Sequence, residues 1–412
     1  MAPVGSRESL MAAIQGGADA VYFGTGHLNM RSRSSANFTL DDLKAISDIS
    51  RSNGVRTYLT LNTVIYDKEL EEMRAIVDAA KENGIDAIIA SDQAVINYAH
   101  ERGMEIHMST QANISNIEAV KFFSNYADVM VTARELALEQ VKAITQAIQD
   151  EQIKGPSGRL VRIEVFAHGA LCMAVSGKCY ISLDLYNHAA NRGACMQPCR
   201  RPYKVFDRDG EVELEVDNQY IMSPKDLKTI DFLDKILDAG VTVLKIEGRG
   251  RSPEYVKTVT RCYREAVKAI QQGTFTKDKL EAWNLELGAV YNRGFWEGYY
   301  LGKKVGEWSE IYGSQATRRK VYVGKIKKHY PRVQVAEVKI EAQELSVGEE
   351  YLIMGPSTGV LEDKVREIRV DDKSVEKTVR GDLCTMPVKE VVRPSDKLYK
   401  WVDAVEIPGQ KD

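Results

Sequence analysis

Four of the six cysteines fall in one stretch, GALCMAVSGKCYISLDLYNHAANRGACMQPCRRP at residues 169 to 202, where Cys172, Cys179, Cys195 and Cys199 are separated by six, fifteen and three residues. Four thiolates from one segment satisfy either a tetrahedral zinc or a four-iron cluster. The gaps match no common zinc finger, which sets its ligands in two short C-x-x-C knuckles. The alternative to a metal centre is four cysteines packed as small hydrophobes. Cations and rings stand nearby in the sequence. Arg192, Arg200, Arg201, Arg249 and Arg251 suit the carboxylates of a small dicarboxylate or the phosphates of RNA, and Tyr180 and Tyr203 suit stacking on an everted base. His168 and Glu247 are candidates for proton transfer, with Lys245 as a third catalytic candidate. For all of these the competing role is a salt-bridge network that organises the loop.

The compartment bears on the cysteines. No run approaches the roughly 20 apolar residues that cross a bilayer, and MAPVGSRESL lacks the regions of a signal peptide, so a cytoplasmic protein is expected. In a reducing cytosol, clustered cysteines more often ligate metal or do redox chemistry than form disulfides. With 56 basic and 59 acidic residues the formal charge is -3, which excludes a uniformly cationic nucleic-acid binder and leaves room for a local basic patch.

Positioning these residues requires a scaffold, and 412 residues that are 44% hydrophobic are enough for one large domain and a smaller one. Up to residue 275, short β-rich apolar runs alternate with helical patterns. The strands expected are MAPV at the start, then 18 to 24, 55 to 62, 85 to 91, 105 to 110, 128 to 133, 161 to 168 and 241 to 247. Two helical runs, from 40 and from 68, end at Gly54 and Gly84. Eight βα units make the fold class α/β, a (β/α)8 TIM-like barrel, with a doubly wound sheet as the competitor. In the barrel the chemistry sits where the strands end. That rule gathers His27, Asn29, Asn62, Asp92, His107, Gln111, Arg134, Glu135, His168, Lys245, Glu247 and Arg249 at one rim, and the cysteine loop, residues 169 to 203, hangs over it.

Residues 276 to 314, rich in Gly and aromatics, are expected to be a linker, and residues 315 to 405 a small antiparallel β-barrel domain. Its first strand, within RRKVYVGKIKK at 318 to 328, holds six cations and no acid; it is either a lysine-protected edge or a phosphate-contacting face flanked by Tyr322 and Tyr330. A peptidase would need a nucleophile with its base or an open metal site, and neither G-x-S-x-G nor H-E-x-x-H is present. His107 and Ser109 share a strand face, without an evident carboxylate to orient the imidazole.

The motif EVFAHGALC at 164 to 172, followed by MAVSGKCYIS, resembles the signature of peptidase family U32, the collagenase-like proteases. APVGSRESLMAAIQGGADAVYFG, NRGACMQPCRRPY, KIEGRGRSPEYV and YNRGFWEGYYLG are similar to the same family, so the resemblance spans nearly the whole chain. One barrel followed by a β domain looks like the family's tRNA hydroxylation branch. The resemblance implies oxygen-independent formation of 5-hydroxyuridine at the tRNA wobble position, with an iron-sulfur cluster (4Fe-4S) on four cysteines and prephenate as the hydroxyl source. It equally carries the collagen-degrading activity from which the family takes its name. A third possibility is a non-catalytic RNA-binding scaffold with a structural metal, zinc included. Cys172, Cys179 and Cys195 match family ligand positions. In the ubiquinone hydroxylation branch the fourth ligand follows an SPKDL-like stretch, which here ends at Leu227 with Lys228 next, so Cys199 is the natural substitute, ahead of Cys262 and Cys384.

Overall fold

The computed structural model describes residues 1–33, 37–204, 220–303 and 306–404. Seven strands follow one another in chain order in a parallel sheet: β1 (Ala2–Pro3), β2 (Ala20–Gly24), β3 (Arg56–Leu61), β4 (Ala87–Ala90), β5 (Glu105–Met108), β6 (Val129–Val131) and β7 (Arg162–Ala170). β8 (Asp226–Lys228) runs antiparallel to the end of β7, and β9 (Val243–Ile246) runs parallel to its body. Met1 supplies the remaining contact: its ammonium donates to Leu244 O at 2.8 Å and its carbonyl accepts from the Ile246 N–H at 3.1 Å, so β9 lies between β7 and β1. Seven of the eight parallel strands fall within the ranges expected from the sequence and β7 runs two residues past its own, because each is built on a short buried apolar run.

Helices alternate with these strands: α1 (Arg7–Gln15), α2 (Asp42–Ser52), α3 (Leu70–Glu82), α4 (Gln93–Glu101), α5 (Ile117–Phe123) and α6 (Leu138–Asp150), then α7 (Ile181–Tyr186) in the cysteine loop, α8 (Leu233–Asp238) and α9 (Pro253–Gln271). In α2 the residues Leu43 and Ile46, and in α3 Met73, Ile76 and Val77, are buried against the sheet at helical spacing. Gly54 and Gly84, at φ +69° and +71°, take the left-handed conformation that ends each helix.

The stretch expected as a linker is instead built into the first domain. It holds α10 (Lys277–Ala289) and β10 (Phe295–Trp296), which pairs with β8. Trp283, Leu287, Trp296 and Tyr300 are buried in the main core, and each such side chain stabilises it by about 2–3 kcal/mol.

The C-terminal sheet is antiparallel, in the order β14 (Gly359–Lys364), β13 (Glu350–Gly355), β18 (Lys397–Asp403), β11 (Arg318–Tyr330), β12 (Val335–Ile340), β17 (Leu383–Pro387), β15 (Arg369–Val370) and β16 (Lys373–Ser374). Its core is separate, centred on Val323, Val338, Tyr351 and Leu398. Among the described residues the end strands β14 and β16 are not paired with each other, so the ladder is a sheet with two ends and not the closed ring expected. The sheet docks on the first domain through Gln15, which donates to Thr358 O and accepts from the Val360 N–H, and through Lys320, both of whose contacts to Glu254 are 2.7 Å. Three of the six cations of the basic strand are paired with acids: Arg318 with Glu350, Lys320 with Glu254 and Lys325 with Glu341. No helix among the described residues is long and apolar enough to cross a membrane.

Candidate active site at the cysteine loop

β7 decides where the loop goes. A bulge between Phe166 and His168 shifts its register on β9, with His168 still paired to Ile246, and its last residues also run antiparallel to β8, so the cysteine loop departs over the C-terminal ends of the parallel strands. Gly169, at φ +108°, sits where an added Cβ would lie 2.5 Å from Glu247 O, so this crossing needs glycine.

Below the loop is a cavity of about 140 Å³. All four cysteines line it, opposite Tyr22, Phe166, Lys245, Glu247 and Arg249 from the strands. A second, basic cavity of about 210 Å³ lies on the other side of Cys172, Cys195 and Cys199, and is lined by Arg31, Arg134, Arg200, Arg251 and Arg293. Three of the thiols, those of Cys172, Cys195 and Cys199, thus border both the inner cavity against the strands and the outer, arginine-lined one.

Arg200 braces the loop: its guanidinium donates to Leu171 O, Pro224 O and Ser223 Oγ. Arg192 is bound to Glu69 and Val64 O and covers the Tyr66 ring at 4.0 Å. Both therefore serve the loop itself, the role that competed with substrate binding. Arg201 lies over Tyr186, Tyr203 donates to Pro198 O at 2.8 Å, and Tyr180 is 75% exposed and lines neither cavity. Arg251 lies 3.6 Å from the centre of the Tyr291 ring and faces Asp226.

Burial first raises Glu247, but the charge and hydrogen bonds of Arg31 outweigh it and hold the carboxyl below its ordinary value. Arg249 is buried, donates to Thr60 Oγ1 at 2.9 Å and Asn29 Oδ1 at 3.0 Å, and has no ion-pair partner among the described residues. Its desolvation lowers its pKa to about 10. Lys245 Nζ is 2.8 Å from Glu164 Oε1, 4.9 Å from the centre of the Tyr22 ring and 5.5 Å from that of Phe166. Glu164 is fully buried and its Oε2 has no hydrogen-bond partner.

His168, expected at the rim, is not on either cavity. The bulge turns it into a cage of Tyr255, Tyr263 and Phe295, where burial pushes its pKa down to about 3, with the charges of Lys228 and Arg251 adding to this, and its Nδ1 lies 3.4 Å from the Tyr263 hydroxyl. Expected as a proton-transfer residue, His168 therefore lies among packing contacts and lines neither cavity. Glu164, Arg31 and Tyr22 were not singled out from the sequence. The alternation of Glu164 with Phe166 on β7 was the available signal for the first.

The serine-peptidase arrangement does not form. His107 does have a carboxylate after all, Glu105 Oε1 at 3.1 Å from its Nε2, but Ser109 bonds instead with Asn62 Nδ2 at 3.1 Å and with Gln111.

Burial pushes the Cys199 thiol up to about 11, with the neighbouring Cys172, Cys195 and Cys179 adding to this and Arg200 opposing it. As they stand, no three His, Cys, Asp or Glu side chains among the described residues converge closely enough to hold one metal ion. A donor set of four thiols suits a tetrahedral zinc or a four-iron cluster alike. Lys228, at the alternative ligand position, bonds to Asp231 and Asn284, while Cys262 and Cys384 are buried in α9 and β17.

A parallel α/β domain with a four-cysteine loop over its strand ends, followed by an antiparallel sheet, defines a class; the family follows from comparison. The model of peptidase family U32 matches residues 5–310, and the chain belongs to that family. It is 58% identical over 401 residues to a collagenase of Porphyromonas gingivalis, covering 97% of each chain. It is 30% identical over 325 residues to tRNA hydroxylation protein P1 of Bacillus subtilis, covering 77% of this chain and 74% of that one. It is 38% identical over 259 residues to the 23S rRNA 5-hydroxycytidine C2501 synthase of Escherichia coli, covering 63% of this chain and 37% of that one.

Proposed function

We propose that the protein is a cytoplasmic RNA-modifying enzyme that hydroxylates a pyrimidine base, with the wobble uridine of tRNA and the product 5-hydroxyuridine as the specific case. The observation that carries this reading is that all four cysteines line the inner cavity, suited to a small molecule, and three of them, Cys172, Cys195 and Cys199, also border the outer cavity lined by arginines. Exchanging a base C–H for C–OH removes two electrons from the base, and amino-acid side chains are poor acceptors of them. Cys172, Cys179, Cys195 and Cys199 would hold a 4Fe-4S cluster, which when bound would relay these electrons one at a time to an external electron acceptor. The chain's own residues do the rest. Arg134, Arg251 and Arg293 attract phosphates in the outer cavity, and Arg249 takes a carboxylate of the hydroxyl donor, prephenate, in the inner one.

A second reading, a collagenase-like peptidase, is favoured by the 58% identical relative of that name. The two separate cleanly. Anaerobically purified protein is assayed for iron, acid-labile sulfide and zinc, for gelatin turnover, and for 5-hydroxyuridine in tRNA from a strain deleted for the gene and free of paralogues. Iron and sulfide with loss of the nucleoside support hydroxylation. Gelatin turnover with unchanged tRNA overturns it for the peptidase.

A further inference from the structure

Lys245 is an amine in an unusual place. It is 6% exposed, rises from a parallel strand into the floor of the inner cavity, and is flanked by the faces of Tyr22 and Phe166. A structural ammonium at such depth is normally saturated with acceptors, because burying a charge is costly unless it is fully hydrogen-bonded. Among the described residues its hydrogen-bond partner is a single oxygen, Glu164 Oε1 at 2.8 Å, and the second oxygen of that carboxylate is itself buried without a partner. The pair is under-satisfied on the carboxylate side and opens on a chamber of about 140 Å³. On the same wall Arg249 presents a buried guanidinium bound only to neutral groups, Thr60 and Asn29. An amine for a carbonyl, a guanidinium for a carboxylate and aromatic walls around them describe one kind of guest.

We propose that Lys245 is a Schiff-base residue that condenses with the carbonyl of a small 2-oxo carboxylic acid whose carboxylate is held by Arg249. Nζ passes a proton to Glu164, whose Oε1 lies 2.8 Å away, and becomes a neutral amine. The Nζ lone pair then attacks the carbonyl carbon, forming the C–N bond. The carbinolamine oxygen leaves as water, taking a proton from Glu164, and the carbon–nitrogen double bond remains. No electrons are exchanged and no co-reactant is needed: amine and ketone give imine and water. Glu164 both accepts and returns the proton, which explains why a carboxylate stands fully buried beside a lysine in the interior of the sheet.

This inference uses the inner cavity of the proposed function but neither RNA nor a cluster, so it stands or falls separately. The test treats the full chain with pyruvate, and in parallel with phenylpyruvate, in the presence of sodium cyanoborohydride, which converts the imine irreversibly to a secondary amine. Intact mass and peptide mapping read the outcome. The expected result is a single adduct equal to the acid less one oxygen atom, located on Lys245, absent with lactate, lost in K245R, and reduced in E164Q. K245R keeps a cation beside Glu164 and so guards against loss through misfolding, which its circular dichroism and thermal transition check. Adducts spread over surface lysines, adducts that persist in K245R, or no adduct with either acid overturn the proposal. If the adduct forms while tRNA is unmodified by the protein, the Schiff base stands and the RNA reading falls.

Discussion

Arg31 and Glu247 meet at the boundary of the two cavities, the guanidinium Nε and Nη2 both donating to Glu247 Oε1, at 3.1 and 2.5 Å. The carboxylate is therefore ionised at neutral pH and acts as a proton acceptor or a fixed charge, not as an acid. Removing one partner strands the other in a buried site, a loss of about 3 kcal/mol. R31M and E247Q are each expected to destabilise by that amount, and the double variant by clearly less than the sum, in urea denaturation at neutral pH. Because the folded pKa of Glu247 lies below the ordinary 4.5, the pair's contribution is fully present above 4.5 and lost as pH falls through the depressed value.

His168 gives a second acid dependence, in a different window. Its folded pKa is pushed from 6.5 to about 3 by burial, so the unfolded chain takes up a proton that the folded chain refuses. The sign follows: stability is fully present above 6.5 and falls by about 1.4 kcal/mol per pH unit below it, down to the folded value. H168F keeps the aromatic packing and gives up only the 3.4 Å contact to Tyr263, whose hydroxyl still donates to Ala167 O and accepts from the Thr229 N–H. The urea midpoint of H168F is expected to be flat between about pH 6.5 and 5 where the wild type declines. An unchanged slope in the variant would remove His168 as the cause.

The contrast between these two residues shows what the sequence could convey. Both end apolar strand runs and both were legible as rim candidates. Only the bulge after Phe166, which leaves no mark in the residue pattern, separates the one that reaches the cavity from the one that does not. The strands themselves were readable because parallel strands are continuous apolar runs, and the cysteines because four fall in one loop. Helix α10 was missed since only Trp283 and Leu287 of its face are buried, too few to mark a helical period. Arg31 lies in a loop beyond β2, where no periodicity exists to place it. Glu164 was hidden by its company: a charge inside EVFAH reads as a strand accident until Lys245 is found opposite.

Gly24 of β2 makes room for Arg249. A Cβ at that position would lie 2.4 Å from Arg249 Nη1 and 2.7 Å from Asn29 Cγ, and the guanidinium is fixed by its bonds to Thr60 and Asn29. G24A is expected to cost about 1–3 kcal/mol through overpacking. If Arg249 holds the carboxylate, its displacement also raises the pyruvate concentration for half-maximal trapping at Lys245 by about tenfold, the equivalent of 1.4 kcal/mol. Stability lost with unchanged trapping would limit Arg249 to packing.

The four loop cysteines and the two distant ones make a matched set. Cys262 and Cys384 are buried, and desolvation pushes each thiol up to about 12, so neither is poised to ligate. Cys199 is raised as well, to about 11, by burial and then by its three neighbours, so metal binding there must release protons and must weaken as pH falls. Replacing any one of Cys172, Cys179, Cys195 or Cys199 by Ala is expected to abolish or make oxygen-labile the iron and sulfide of anaerobically purified protein. C262S and C384S are expected to leave both at wild-type levels. Lys228 supplies the decisive control: it occupies the position at which the resemblance to the ubiquinone branch implies a last ligand, yet it is engaged by Asp231 and Asn284. Iron that survives C199A but is restored to oxygen stability by K228C would move the fourth ligand to β8, whereas iron lost in C199A and unaffected by K228C assigns it to the loop.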